Sequence, residues 1–331
     1  MESNKIFYDI VNEFKLGNIT APVERVTGGY MHKMYRLETS TGKYAIKLLN
    51  PVIMTRSDVF ENYKTAEYLE EKLQENNIPI IPALTFGSEK MQRINNQYFY
   101  VFDWIDGKAL ISEEIRQEHC EIIGSLLAKI HKIERINKTF ESKQINIDWD
   151  SYILLATDRC IEIVDILKNN KELLYKSQNN GNIALKNIPD IAVISNGDMD
   201  SKNVLWIDSN PKIIDLECLN YGNPYKELFQ LALYWSGYEH CQIDYNLLTS
   251  FIQSYIQVYG EFEVNWEDLY NSNFGRLEWL EYNVKRALML ECENEEERRL
   301  GIEQVYETME HVIYYDSVKD ELLRKLSETL L

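Results

Sequence analysis

The chain has 331 residues, of which 45% are hydrophobic and 27% charged, and its net charge is −18. That composition excludes a disordered chain, and the length favours two compact bodies over a single core. No apolar run approaches the roughly 20 residues of a membrane span, and no basic-then-apolar leader precedes the first helix pattern. Five cysteines without a Cys-x-x-Cys pair argue against a disulfide frame or a cysteine metal site, so a reducing cytoplasm is the expected location.

The charge is unevenly placed. Residues 1–105 carry 12 Lys and Arg against 13 Asp and Glu, whereas residues 106–331 carry 23 against 40. An acidic surface repels nucleic acid and anionic membranes and attracts polycationic small molecules; solubility alone is the plainer alternative.

In chain order, Ile6, Phe7, Ile10, Val11 and Phe14 fall at helical spacing and predict a helix over 5–16. The period then changes. Residues 23–26, 34–39 and 44–49 predict three antiparallel strands, with Gly28-Gly29 at the first turn. A helix is expected over 57–76 with Ser57 as its N-cap, then strands over 80–85 and 97–102. After Gly107 the strand pattern nearly vanishes. Helices are expected over 112–133, 149–168, 225–237, 244–259, 265–291 and 295–330, with a polar loop at 181–189. One small hairpin interrupts them, 204–207 with 212–214 around the turn Asp208-Ser209-Asn210-Pro211. A mixed α/β first lobe over 1–105 and a mainly helical second lobe over 106–331 follow.

The chemistry concentrates in Asn196-Gly197-Asp198-Met199-Asp200-Ser201-Lys202-Asn203, continued by Ile213-Ile214-Asp215-Leu216-Glu217. One carboxylate, an amide five residues on and a second carboxylate after a short strand are what phosphoryl transfer needs. Asp198 can orient a hydroxyl as catalytic base, and Asn203 and Asp215 offer oxygen ligands to Mg2+.

The pattern Asn-Gly-Asp-x-x-x-x-Asn followed by Ile-Asp-x-Glu resembles the catalytic segment of the aminoglycoside phosphotransferase and choline-kinase-like family. The resemblance implies a two-lobed, α+β protein-kinase-like fold and a phosphotransferase using ATP or GTP with Mg2+. Residues 26–37 are similar to the hairpin that covers the nucleotide. Tyr44-Ala45-Ile46-Lys47 is similar to the strand carrying the nucleotide lysine. Residues 124–133, ending near His131, resemble the helix before the catalytic loop. Asn196 stands where the family usually has His, and Leu216-Glu217 replaces the Phe-Gly of protein kinases.

Lys47 alternates out of an apolar strand and would reach nucleotide phosphates; an exposed strand lysine is the ordinary alternative. Its carboxylate partner is expected on the 57–76 helix, at Glu67, with Glu61 second. Gly28 and Gly29 would let backbone amides approach phosphate. Asp103, Trp104 and Ile105 would meet the base edge, Trp104 either packing on the base or filling core. Asp200 is either a neighbour supporting Asp198 or a solvated loop residue. Glu217 would help hold substrate or the waters on the metal. Trp235, Glu239, Glu278 and Tyr282, with Tyr238 and Glu281, are candidate contacts for an ammonium-rich acceptor. The other histidines, His32 among them, show no partner spacing and receive no role. The expected partners are a nucleoside triphosphate and a small molecule, with neither nucleic acid nor membrane, and a monomer is compatible with the sequence.

Overall fold

A computed structural model describes residues 5–26, 32–136, 144–292 and 294–329. Gly28 and Gly29 lie outside these residues. By packing, the chain forms two compact units, one of residues 1–111 with 196–220, the other of 112–195 with 221–331. The first unit begins with α1 (Lys5–Glu13), β1 (Glu24–Val26), β2 (Lys33–Glu38), β3 (Lys43–Leu48), α2 (Val59–Glu75), β4 (Gln92–Ile94), β5 (Gln97–Asp103) and β6 (Lys108–Ala109). The second contains α3 (Gln117–His131), β7 (Arg135–Ile136), α4 (Trp149–Arg159), α5 (Val164–Asn169), α6 (Lys171–Ala184) and β8 (Ala192–Ser195). The chain then re-enters the first unit with β9 (Val204–Ile207) and β10 (Asn210–Ile213), and crosses back at β11 (Asn220–Gly222). It ends in α7 (Pro224–Trp235), α8 (Tyr245–Tyr259), α9 (Trp266–Ser272), α10 (Gly275–Ala287) and α11 (Glu295–Thr329).

The first unit is built on an antiparallel sheet of order β1-β2-β3-β5-β4. Side chains alternate across a strand, so the sheet has two different faces. Leu37, Ile46, Phe99 and Val101 pack with Phe7, Ile10 and Val11 of α1. Tyr100 faces the other way and packs with Val59 and Tyr63 of α2. Lys47 pairs opposite Tyr100 in the β3–β5 ladder, which places it off the α1 core.

Several elements differ from the sequence expectation. Residues 80–85 form isolated bridges, Ile80 to Ile213 and Ala83 to Phe102, and no ladder; Pro79 and Pro82 remove two of the donors a ladder needs. The edge strand is β4 instead, closed onto β5 by Asn95 and Asn96, both at positive φ (49° and 66°), the backbone of a tight hairpin turn. The 149–168 helix breaks at Cys160, whose backbone is extended (φ −154°) and whose side chain is buried. The 265–291 helix breaks at Asn273 and Phe274. Leu269 and Leu277 are buried on either side of that break, so the apolar period runs through it unmarked. Residues 171–184 are helical, which the polar composition concealed. Gln178 and Asn182 of α6 accept from the backbone N–H groups of Ile147 and Ile145 at 3.0 Å each, so amide polarity here serves a tertiary contact.

The second unit packs α3 closely on α8. A Cβ on Gly124 would collide with the Phe251 carbonyl oxygen, and Ser254 donates to the Glu121 carbonyl at 2.9 Å. Helix α7 starts with Asn223 accepting from the N–H groups of Tyr225 and Lys226, and Pro224 fills its first turn. No helix among the described residues is long and apolar enough to cross a membrane.

Candidate active site

The loop after β8 starts with buried Asn196 and with Gly197 in the left-handed region (φ 69°), a conformation glycine adopts without a Cβ penalty. Met199 is fully buried and anchors the loop. A short turn at Ser201–Asn203 leads into β9. The Asn203 side chain donates its amide hydrogen to the Asp198 carbonyl oxygen at 2.8 Å, so its amide oxygen is the atom it can offer a cation. The β9–β10 hairpin pairs Val204 with Ile213, and Ile214 N–H donates to the Asn203 carbonyl at 3.0 Å. The hairpin thereby returns the chain so that Asp215 follows directly on a residue bonded to Asn203. Asp215 is itself in the left-handed region at φ 59°, a conformation aspartate adopts more readily than most residues with a Cβ.

Asp198 is half-buried. Burial raises its carboxyl, Lys202 at 3.8 Å opposes that, and the nearby carboxylates of Asp200 and Asp215 raise it further, to about 6. Asp200 is buried and not a solvated loop residue. One of its oxygens lies 2.7 Å from the Lys202 ammonium, and the other, Oδ1, has no hydrogen-bond partner among the described residues.

Lys47 is also buried, with 7% of its side chain exposed. Its ammonium sits 2.6 Å from Asp215 Oδ1 and 2.5 Å from Glu217 Oε2. Burial alone would lower its pKa; the two carboxylates outweigh it and the net shift is upward, so it stays cationic. Glu217 is pulled the other way. Burial favours its neutral form, but the hydrogen bond from His32 and the Lys47 charge hold it well below the ordinary carboxylate range.

Magnesium takes hard oxygen ligands and keeps part of its water. The Asp215 carboxylate and the Asn203 amide oxygen supply that chemistry, and the backbone bonds above bring the two residues together. Among the described residues no group of three or more His, Cys, Asp or Glu side chains is arranged around a common point. Two protein oxygens would leave the other positions of such an ion to phosphate and water.

Other expected residues lie elsewhere. Glu67 does not reach Lys47; it accepts from the Tyr100 hydroxyl at 2.7 Å and the Met91 N–H at 3.2 Å. Tyr100 occupies the ladder position opposite Lys47 and so takes the carboxylate that sequence spacing offered to the lysine. Glu61 is exposed. Asp103 is exposed at the end of β5, and Trp104 and Ile105 are half-buried. The Trp104 indole N–H donates to Asp106 at 2.9 Å, and the Arg36 guanidinium lies 5.3 Å from its ring centroid. The ring is thus engaged by neighbours of the sheet. Trp235 is fully buried and offers no face to a solute. Glu239 and Glu278 are exposed, and Tyr282 lies against Trp279 with ring centroids 5.4 Å apart.

His32 was missed. It is buried, accepts the Asn50 N–H on Nδ1 at 3.0 Å, and meets Glu217 Oε1 through Nε2 at 3.3 Å. The Tyr63 hydroxyl lies 3.2 Å from the same Nε2. The β2–β3 register, which pairs Lys33 with Leu48, sets His32 beside Asn50. An explicit hairpin register would have found it; residue spacing along the chain could not.

A model of the phosphotransferase enzyme family matches residues 22–267, most of the chain. No curated protein sequence matches it. Among solved structures, a spectinomycin phosphotransferase in complex with ADP and spectinomycin is similar over 93% of this chain and 98% of its own, with 14% identity and a TM-score of 0.66. An amicoumacin kinase in complex with AMP-PNP and Ca2+ covers 92% of this chain and 93% of its own at 11% identity, TM-score 0.58. A choline kinase from Cryptosporidium parvum Iowa II covers 99% and 98% at 15% identity, TM-score 0.56. At these identities the likeness concerns the fold, which is the protein-kinase-like one.

Proposed function

We propose a specific activity for a chain that belongs to the phosphotransferase enzyme family: transfer of the γ-phosphoryl group of ATP or GTP to a hydroxyl of a small cationic molecule, an aminoglycoside or another amine-bearing alcohol. The observation that carries this reading is the closed set Asp198–Asn203–Ile214–Asp215 with Lys47 on Asp215.

In this reading Lys47 holds the nucleotide phosphates, and Asn203 and Asp215 hold the magnesium. That ion, when bound, neutralises charge building on the transferred phosphoryl oxygens. Asp198 accepts the hydrogen bond of the acceptor hydroxyl and takes its proton as the oxygen attacks. The raised carboxyl pKa makes Asp198 a better proton acceptor than an ordinary aspartate while leaving it mostly ionised at neutral pH. Residues 1–105 would form the nucleotide-binding lobe, and residues 106–331 the catalytic and substrate-binding lobe. The acidic excess of 106–331 favours a cationic acceptor through long-range attraction.

The test is turnover of the purified chain with ATP or GTP and Mg2+ across a panel of acceptors, read as phosphorylated product. The panel includes aminoglycosides, spectinomycin, choline, ethanolamine and neutral sugars. Phosphorylation of amine-bearing alcohols and not of neutral sugars is expected. A preference for choline would place the enzyme on the metabolic side of the family. Binding of nucleotide without transfer to any acceptor, with Asp198→Asn behaving as wild type, would favour a non-catalytic nucleotide-binding module.

A further inference from the structure

We propose that Glu217, anchored by His32, and not a carboxylate of α2, is the residue that positions Lys47 for the nucleotide; this rests on the phosphotransferase reading above. A buried ammonium needs a lasting counter-charge. Lys47 has two, Asp215 and Glu217. Asp215 is more than a third exposed and is the carboxylate offered to magnesium, whereas Glu217 is 19% exposed. Once Asp215 turns to a cation, Glu217 is the counter-charge that stays with the lysine.

Glu217 is also the better-held of the two. Its Oε2 meets Lys47 and its Oε1 meets His32 Nε2. His32 Nδ1 accepts the Asn50 N–H, which assigns the ring hydrogen to Nε2, where it faces Glu217 and the Tyr63 hydroxyl. Asn50 lies three residues beyond Lys47. The chain of contacts Lys47–Glu217–His32–Asn50 therefore closes on the segment that carries the lysine, fixing the carboxylate relative to β3 without passing through α2. Helix α2 contributes a hydroxyl, Tyr63, and its own carboxylate Glu67 is committed to Tyr100 and Met91. Glu217 and His32 are positioning residues in this account, since both act through Lys47.

The experiment compares E217Q, H32Q and E67Q in the full chain. It measures binding of AMP-PNP with Mg2+ by calorimetry, and KM for ATP separately from KM for the acceptor. E217Q is expected to weaken nucleotide binding and raise KM for ATP about tenfold or more, with the acceptor KM within about twofold of wild type. H32Q should give the same split at smaller amplitude. E67Q should lower thermal stability while keeping the nucleotide Kd. Wild-type nucleotide affinity in E217Q, or an equal loss in E67Q, would overturn the proposal. Should E217Q not fold, H32Q decides: an unchanged nucleotide Kd there overturns it as well. Failure of the wild-type chain to bind nucleotide would sink the phosphotransferase reading itself, whereas binding indifferent to Glu217 and His32 sinks only the positioning role.

Discussion

The two units each bury a histidine against a glutamate, and the two clusters behave differently. In the second unit His131 donates or accepts at both nitrogens, with the Tyr255 hydroxyl at 2.8 Å and Glu227 Oε2 at 3.0 Å, and the His131 and Glu227 side chains are 0% and 5% exposed. That network is enclosed, and it joins α3, α7 and α8. In the first unit His32 and Glu217 lead to Lys47 and Asp215, and the Asp215 side chain is 37% exposed. An enclosed network that is fully partnered rigidifies a core. A network with one carboxylate open to solvent can exchange that partner for a ligand. The enclosed arrangement is architecture; the open one is a candidate site.

The largest expected effect would separate them at once. Asp198→Asn keeps the shape of the loop and removes the proposed base, so turnover should fall about 10^3-fold, with nucleotide affinity retained. Single-turnover phosphoryl transfer alongside nucleotide calorimetry measures both. Turnover within tenfold of wild type would remove Asp198 from the chemistry.

The enclosed cluster should respond in stability alone. Glu227→Ala strips His131 of a buried partner and should cost about 2–4 kcal/mol of unfolding free energy, read by urea denaturation. KM for ATP should not move. A shift in KM for ATP without loss of stability would abolish the distinction between the clusters.

A smaller effect sharpens the architectural side. Gly124→Ala drives a methyl into the Phe251 carbonyl at the α3–α8 crossing, and about 1–3 kcal/mol of destabilisation is expected from such overpacking. Denaturation that leaves the variant as stable as wild type would show that the two helices can part there freely.

The pH dependence is the mildest test. Because the Asp198 carboxyl is raised to about 6 and in the proposed mechanism is ionised to take the proton, log kcat/KM should climb by about one per pH unit below that value and flatten above it. The stability linkage runs the opposite way. Between the ordinary carboxyl pKa and about 6 the folded state holds more protons at Asp198 than the unfolded state, so this group's contribution to stability declines as pH rises through that window. Loss of the acid limb in Asp198→Asn, with the limb intact in Glu227→Ala, assigns it to Asp198.

Local sequence determined a good deal of this protein. The Asp198, Asn203 and Asp215 spacing, the hairpin between them and the exit of Lys47 from an apolar strand were all readable, because each depends on contacts a few residues apart or on strand alternation. Helix existence was readable from apolar period except at α6, whose polar composition concealed it, and the breaks at Cys160 and Phe274 were not readable, since buried residues continue in phase across them. Three things were decided only by the tertiary structure. Residues 196–220 leave the helical second unit to pack with the strands of the first. Glu67 goes to Tyr100, because the β3–β5 register puts that hydroxyl opposite Lys47. And His32, silent as a residue in a list, becomes a contact of Glu217 once the β2–β3 register brings it to Asn50. Each depends on pairing between segments far apart in the chain, and no pattern within a single segment carries that register.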